Sequence, residues 1–280
     1  MSNKDSSAAE AIIRVMAEAH GVDISRYDEE FLRKATLKRL AVCGIESAAA
    51  YAGHLAANRG EAEAFFRSLR NTHSDFFRNP LTFAVLEQLI LPALVEEKKN
   101  SGAGEIRVWS ADCAAGQEPW SLAILLEEAT GGRDPSYRIF ATDLDDLAQA
   151  RAGGYSTEAV GNIRARHLNK YFSRQGDLFS IVPRLRAMVD FSAGDLREGS
   201  SASPVPSIYG GFDLILCCNL LFYYRPDMQQ LILDKVCRAL VPGGYFVTGE
   251  AERAIVSDQK SLRVVARPAP VFQKSPFPNR

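Results

Sequence analysis

Glu118 opens an apolar helical run directly after the small-residue stretch Ser110-Ala111-Asp112-Cys113-Ala114-Ala115-Gly116. Small residues let a backbone bend sharply and approach a ligand closely. Gly116 alone does not make the G-x-G-x-x-G fingerprint of a pyrophosphate site, and no Gly-Lys-Ser/Thr follows to make a P-loop. A carboxylate at a helix start repels phosphate and attracts an ammonium or sulfonium group. That charge logic points to S-adenosylmethionine, which carries both cations. A plainer reading stands beside it, in which Glu118 is a first-turn acid favoured by the helix dipole.

Other side chains fall into place around this turn. Asp143 ends the apolar run Tyr137–Thr142, where a carboxylate accepts hydrogen bonds from ribose hydroxyls or caps the next helix. Asp195, after Ser192-Ala193-Gly194, can accept from an adenine amine with Leu196 packed on the ring, or can be a turn residue. Asn219 follows the run Phe212–Cys217, and Tyr223 and Tyr224 place phenols near the same strand end. Thr72 and Ser74 are two apart, so their hydroxyls share a side in extended chain. Phe76-Phe77 would anchor this segment in a core and give Arg78 a fixed base. An arginine close to a helix start opposes the helix dipole, which invites a carboxylate partner.

These residues need strands that end together. Ile106–Trp109, Tyr137–Thr142 and Phe212–Cys217 are short apolar runs alternating with helical patterns, the signature of a doubly wound α/β sheet. Tyr245–Thr248, Leu262–Ala266 and Pro270–Gln273 read as later strands, the last two as an edge hairpin. Leu178–Val182 and Met188–Phe191 read as a small antiparallel pair. Before residue 100 no strand alternation occurs. Ala11–His20, Asp28–Ala41, Ala48–Asn58 and Glu61–Leu69 read as helices, with Met1–Glu10 as a polar, frayed start and Leu81–Leu94 as one later helix. A helix is expected to begin at about Asp145, and Gly199–Gly211 reads as a surface loop. The predicted organisation is an all-helical domain over 1–75 and an α/β domain over 76–280. On the second helix, Arg33, Lys34, Lys38 and Arg39 alternate with apolar residues, giving a solvated face or a docking face for an acidic partner helix.

Composition narrows the class. In 280 residues, 33 Lys and Arg nearly balance 34 Asp and Glu, which argues against a dedicated nucleic-acid binder. The five cysteines form no C-x-x-C pair and the four histidines show no metal-ligand spacing, so no metal site is expected. No window has the ~18 apolar residues of a membrane span, and reduced thiols suit a cytoplasmic protein.

Together, Phe76-Phe77-Arg78, Gly116-Gln117-Glu118-Pro119-Trp120-Ser121-Leu122, Ala141-Thr142-Asp143-Leu144, Phe212–Ile215 with Cys217–Tyr223, Pro242-Gly243-Gly244 and Gly249-Glu250-Ala251-Glu252 resemble, in order, the CheR-type chemotaxis receptor methyltransferases. The resemblance covers nearly the whole chain. It implies a Rossmann-like S-adenosylmethionine-dependent sheet, an N-terminal helical domain and a small antiparallel β-subdomain near 172–190. It implies methyl transfer to receptor glutamates, S-adenosylhomocysteine as product, and a monomer. Glu118 and Asp143 match the family's cofactor carboxylates. Asp195 and Leu196 match its adenine-side contacts, and Asn219 and Leu220 a further cofactor contact. Thr72 and Ser74 stand where the family carries Asn-x-Thr, while Arg78 and Tyr223 match residues near the transferred methyl. The chain departs from the pattern with Cys218 in place of Arg, Trp120 in place of Tyr, and Gly-Glu-Ala-Glu in place of Gly-His-Ser-Glu. These departures motivate an alternative, a catalytically weakened signalling adaptor that keeps the cofactor or its product bound. A small-molecule or nucleic-acid methyltransferase is a third class, disfavoured by balanced charge and by the lack of an Asn-Pro-Pro-Tyr-like motif.

Overall fold

Local signals set the helices near the N-terminus. The computed structural model of the chain describes residues 3–70, 74–102, 104–133, 135–144, 147–197 and 211–276. It divides into two units: Met1–Asn71 with Phe222–Gln229, and Thr72–Leu221 with Gln230–Arg280. Thr72, Asp145 and residues 199–210 of the expected loop lie outside the described residues.

The first unit holds α1 (Asn3–His20), α2 (Glu29–Cys43), α3 (Ala48–Ala57) and α4 (Arg59–Ser68). Helix α1 begins at Asn3 rather than near Ala11, because nothing before Ala11 breaks a helix and the alanines there favour one. Side-chain caps fix the other starts: Asp28 accepts from Phe31 N, Ser47 from Ala50 N and Asn58 from Glu61 N. Gly44, at φ 66°, closes α2 in the left-handed conformation that glycine adopts without strain. Met16, Tyr51, Leu55 and Phe65 are fully buried among these helices. Within this unit Arg39 pairs with the buried Glu61, which also accepts from Tyr51 Oη at 2.6 Å. The bond from Arg39 holds the Glu61 carboxyl down at about 2. Arg33 pairs with Glu30, as does Lys34, and Lys38 and Leu37 are exposed. Residues 222–229 join this unit through Tyr223 O, which accepts from Asp28 N, and through Tyr27 stacked on Tyr224.

In the second unit, the expected helix over 81–94 is α5 (Pro80–Val85), one π turn (Leu86–Ile90) and α6 (Leu91–Ser101). Pro92 supplies no N–H and its ring crowds the preceding turn, so the wider turn that binds Leu91 N to Leu86 O absorbs it. Strands and helices then alternate: β1 (Ile106–Ala111), α7 (Gln117–Thr130), β2 (Tyr137–Asp143), α8 (Ala148–Ala152), β3 (Gly154–Ser156), α9 (Ala165–Tyr171), β4 (Phe172–Gln175), β5 (Leu178–Ile181), α10 (Pro183–Arg186), β6 (Val189–Ala193), β7 (Phe212–Cys217), α11 (Pro226–Ala239), β8 (Leu240–Thr248), α12 (Arg253–Ser257), β9 (Leu262–Ala266) and β10 (Val271–Lys274).

The main sheet runs β6-β2-β1-β7-β8-β10-β9. Its first five strands are parallel, while β10 and β9 add an antiparallel edge, as the sequence predicts for the last two strands. The order reverses between β1 and β7, and ligands of open α/β sheets bind beyond the carboxyl ends of strands at such a point. Helix α7 is apolar on nearly every side, with Leu122, Ala123, Ile124, Leu125 and Leu126 all buried, which marks it as the helix under the core.

One expected pairing is corrected. Leu178–Ile181 does not pair with Met188–Phe191; it lies between β3 and β4 in a separate three-stranded antiparallel sheet. Val189–Ala193 instead joins the main sheet beside β2. The turn Asp177-adjacent Gly176, at φ 62°, makes β4 and β5 a tight hairpin, so proximity in sequence decides that pairing. Among the described residues no single helix is long and apolar enough to cross a membrane.

Candidate active site

The carboxyl ends of β1, β2, β6, β7 and β8 meet the chain segments picked out by sequence. After β1 the backbone enters the left-handed region at Asp112 (φ 63°), Ala114 (φ 47°) and Gly116 (φ 90°). For residues with a side chain this conformation costs about 1–2 kcal/mol each, so a tertiary contact must hold them there. Asp143 supplies one: its Oδ2 accepts from Ala114 N at 2.7 Å. Cys113 N bonds to Thr142 O at 3.0 Å, tying the same turn to the end of β2. Gly116 has no substitute. A Cβ there would stand 2.9 Å from Ala150 Cβ and 3.1 Å from the Tyr155 hydroxyl. The Trp120 indole N–H, bonded to Ala150 O at 3.1 Å, packs α7 against this same point.

Glu118, in the first turn of α7, is half-buried, and its Oε1 accepts from Ser110 Oγ at 2.7 Å. Burial pushes its carboxyl up to about 7; hydrogen bonds from Ser110 and the Cys218 thiol and the Arg78 charge favour the ionised form, and the Glu252 charge opposes it. The thiols map the field of these acids. Cys113 is raised well above its ordinary value by burial and then by Asp143, Glu118 and Asp112; Cys217 by burial and then by Glu252, Asp112 and Glu118. Four carboxylates therefore converge on one end of the sheet.

Arg78 sits between Phe77 (φ 52°) and Asn79 (φ 60°), both left-handed. A bulky aromatic residue in that region is an outlier that surrounding structure must impose. Phe76 is fully buried against Tyr155 and Phe172, and Phe77 N donates to Ser121 Oγ on α7 at 3.0 Å. The Phe77 ring packs edge-on to Phe83 and near His167. Arg78 thus rises from a clamped base, as its sequence context predicts. A cavity of about 370 Å³ lies against the same loop; Arg78, Phe83, Leu125, Arg164 and His167 line it, but Glu118, Asp143 and Asn219 do not.

The remaining sequence-derived residues divide. Asn219, half-buried at φ 61°, follows β7, and Leu220 is buried beside it. Asp195, after β6, accepts from Arg197 N at 2.7 Å and from its guanidinium at 2.8 and 2.9 Å, while Leu196 is buried. Ser74 is half-buried ahead of Phe76. Tyr223 belongs to the first unit, its ring 4.7 Å from Phe31 and 4.3 Å from Phe222. Sequence reading assigned no role to Ser110, to Lys235 or to Glu252. Lys235 is buried and donates to the carbonyls of Asp195 and Leu196 at 3.2 and 3.1 Å. Its signal was available: a lysine interrupting the apolar face of Ile232, Leu233 and Val236.

The sequence matches the family described as "CheR methyltransferase, SAM binding domain" over residues 72–269. The chain belongs to the CheR methyltransferase family. Its relatives include the chemotaxis protein methyltransferase of Listeria monocytogenes, 29% identical over 244 residues that cover 86% of this chain and 88% of that one. Chemotaxis protein methyltransferase 1 of Pseudomonas aeruginosa is 32% identical over 218 residues, 75% and 76% of the two chains. The Salmonella typhimurium enzyme is 29% identical over 249 residues, 86% and 82%. This CheR-family chain is therefore a methyltransferase that uses S-adenosylmethionine on a Rossmann-like sheet. The site fits that cofactor. A convergent set of carboxylates suits a sulfonium and an ammonium group.

Proposed function

We propose that this methyltransferase esterifies glutamate side-chain carboxylates on the cytoplasmic helices of chemoreceptors and so tunes chemotactic signalling. The observation that carries the proposal is the clamped Arg78, whose charge reaches Glu118 at the acidic sheet edge. When bound, S-adenosylmethionine supplies a methyl group on a positive sulfur. Glu118 then faces its cationic part and Asp143 its ribose hydroxyls, with Thr72, Ser74, Asp195, Leu196, Asn219 and Leu220 as further contacts. Arg78 holds the acceptor carboxylate, and Tyr223 orients acceptor or donor. A glutamate is already ionised at neutral pH, so no strong general base is required. Catalysis rests on alignment and on stripping water from that carboxylate. The exposed Lys34 and Lys38, with Arg33 and Leu37, offer the acidic receptor helix a face on α2; Arg39 is engaged by Glu61 and supports that face from behind.

The test is incubation with radiolabelled S-adenosylmethionine and receptor-bearing membranes, followed by alkaline release of methanol. Base-labile label that is lost in Arg78→Ala, with cofactor binding largely kept, is the expected result. Label that persists in that variant removes Arg78 from its role. The neutral thiol of Cys218 bonded to Glu118, where the family carries arginine, favours the second reading of a product-binding adaptor. Tight binding of S-adenosylhomocysteine with no base-labile label in any receptor fraction would establish that one instead.

A further inference from the structure

Glu252 accepts four hydrogen bonds, and methyl transfer as proposed makes no direct use of it. Its side chain is fully buried. Oε2 accepts from Asn219 N at 2.9 Å, Gly249 N at 2.8 Å and Thr248 Oγ1 at 2.7 Å, while Oε1 accepts from Leu221 N at 2.6 Å. Thr248 Oγ1 also bonds to Cys217 O at 3.1 Å. The one carboxylate thus ties the exit of β7 to the exit of β8, whose last residues are register partners, Cys217 with Thr248.

The clasp acts where the backbone is strained. Asn219 lies between its two grips, at Asn219 N and Leu221 N, and holds φ 61°. A left-handed residue with a side chain persists only when its surroundings over-determine it. Gly249 completes the arrangement. A Cβ there would stand 2.8 Å from Asn219 Nδ2, 2.8 Å from Glu252 Oε2 and 3.0 Å from Asn219 N. At φ −69° its backbone suits any residue, so close approach is what requires the glycine.

We infer that Glu252 is a positioning residue of the methyltransferase: it never meets the donor, but by gripping both sides of Asn219 it sets the segment that forms the donor's wall. This rests on the reading of Asn219 and Leu220 as cofactor contacts.

Glu252→Gln is nearly isosteric and discriminating. A glutamine oxygen can replace Oε2, but its amide NH2 then points at Leu221 N, donor against donor. Asp213→Asn is the control. Asp213 is also a buried carboxylate, on β7, but it bonds Arg107 N and Lys98 at the amino end of the sheet. Calorimetry with S-adenosylhomocysteine and thermal melts are run on wild type and both variants. The expected result is a Kd raised at least tenfold in Glu252→Gln and changed less than twofold in Asp213→Asn, although both melt lower. At saturating donor, Glu252→Gln should keep turnover within threefold, so the loss sits in KM. Should Glu252→Gln not fold, Gly249→Ala crowds the same clasp from the other side and must show the same rise. Unchanged affinity in the folded Glu252 variant, or equal loss in both variants, overturns the inference. Wild-type protein that gives no binding heat overturns the functional reading beneath it.

Discussion

The two ends of the parallel sheet are built by opposite rules. At the amino end, turns pass through glycine: Gly102, Gly104, Gly131, Gly132 and Gly243 carry positive φ values there. The buried acid at that end, Asp213, is matched by Lys98 at 3.0 Å and by Arg107 N at 2.8 Å. At the carboxyl end, left-handed backbone falls on Asp112, Ala114 and Asn219 as well as on Gly116. Three acids there accept from neutral donors: Glu118 from a serine hydroxyl, Asp143 from a backbone N–H, and Glu252 from three N–H groups and one hydroxyl; Asp195 is matched by Arg197. One end is relaxed and charge-matched. The other keeps strain and a concentrated negative field, both of which a cationic ligand can use.

Substitutions at the two ends should therefore separate. The largest effect is expected at Asp143. Asp143→Ala removes the proposed ribose partner and the acceptor of Ala114 N together. At 1.5–3 kcal/mol for a hydrogen bond to a charged group, S-adenosylhomocysteine affinity should fall by about 100-fold in calorimetry. A change under threefold would break the contrast.

Next comes alanine at a left-handed glycine from each end. Gly116→Ala meets backbone strain and the Ala150 and Tyr155 atoms, whereas Gly243→Ala, at φ 80°, has nothing within 4 Å of its Cβ. Gly243→Ala should lose about 1 kcal/mol of stability with donor binding intact. Gly116→Ala should lose more, and donor binding with it. Chemical denaturation and calorimetry on the pair decide the matter, and equal behaviour would erase the distinction.

A pH series sharpens the electrostatic half. With its carboxyl pushed up to about 7 by burial, Glu118 is largely protonated at pH 6 and largely ionised at pH 8. A cationic donor binds the ionised form better, so its Kd should rise as pH falls from 8 to 6, with protons released on binding. Glu118→Gln should flatten that profile. Buffers of different ionisation enthalpy in calorimetry count the protons, and a flat wild-type profile would remove Glu118 from the donor's cationic part.

The smallest effect is expected at Ala114→Gly. Relief of a left-handed alanine is worth ~1–2 kcal/mol, offset by the greater freedom of glycine in the unfolded chain at ~0.5–1 kcal/mol. The net should be a stabilisation of no more than ~1.5 kcal/mol in a urea melt. A clear loss of stability would mean that Ala114 is not strained.

Much of this could be read from the chain alone, because it is written in local chemistry. Apolar runs marked β1, β2 and β7, and caps and glycines bounded the helices. The small-residue turn before Glu118 was legible as the link between β1 and α7. The β6 strand was misjoined because a hairpin partner nearby in sequence is indistinguishable, by pattern, from a parallel partner across the sheet. Which strands lie side by side was decided only in three dimensions, since parallel pairing joins residues that share no local signal. The same holds for the carboxylate grip of Glu252 on Asn219, thirty-three residues apart, and for the buried Lys235 behind Asp195. A sequence states which residues can carry charge or tolerate a turn; only packing settles which buried acid meets which backbone, because burial is what makes that bond obligatory.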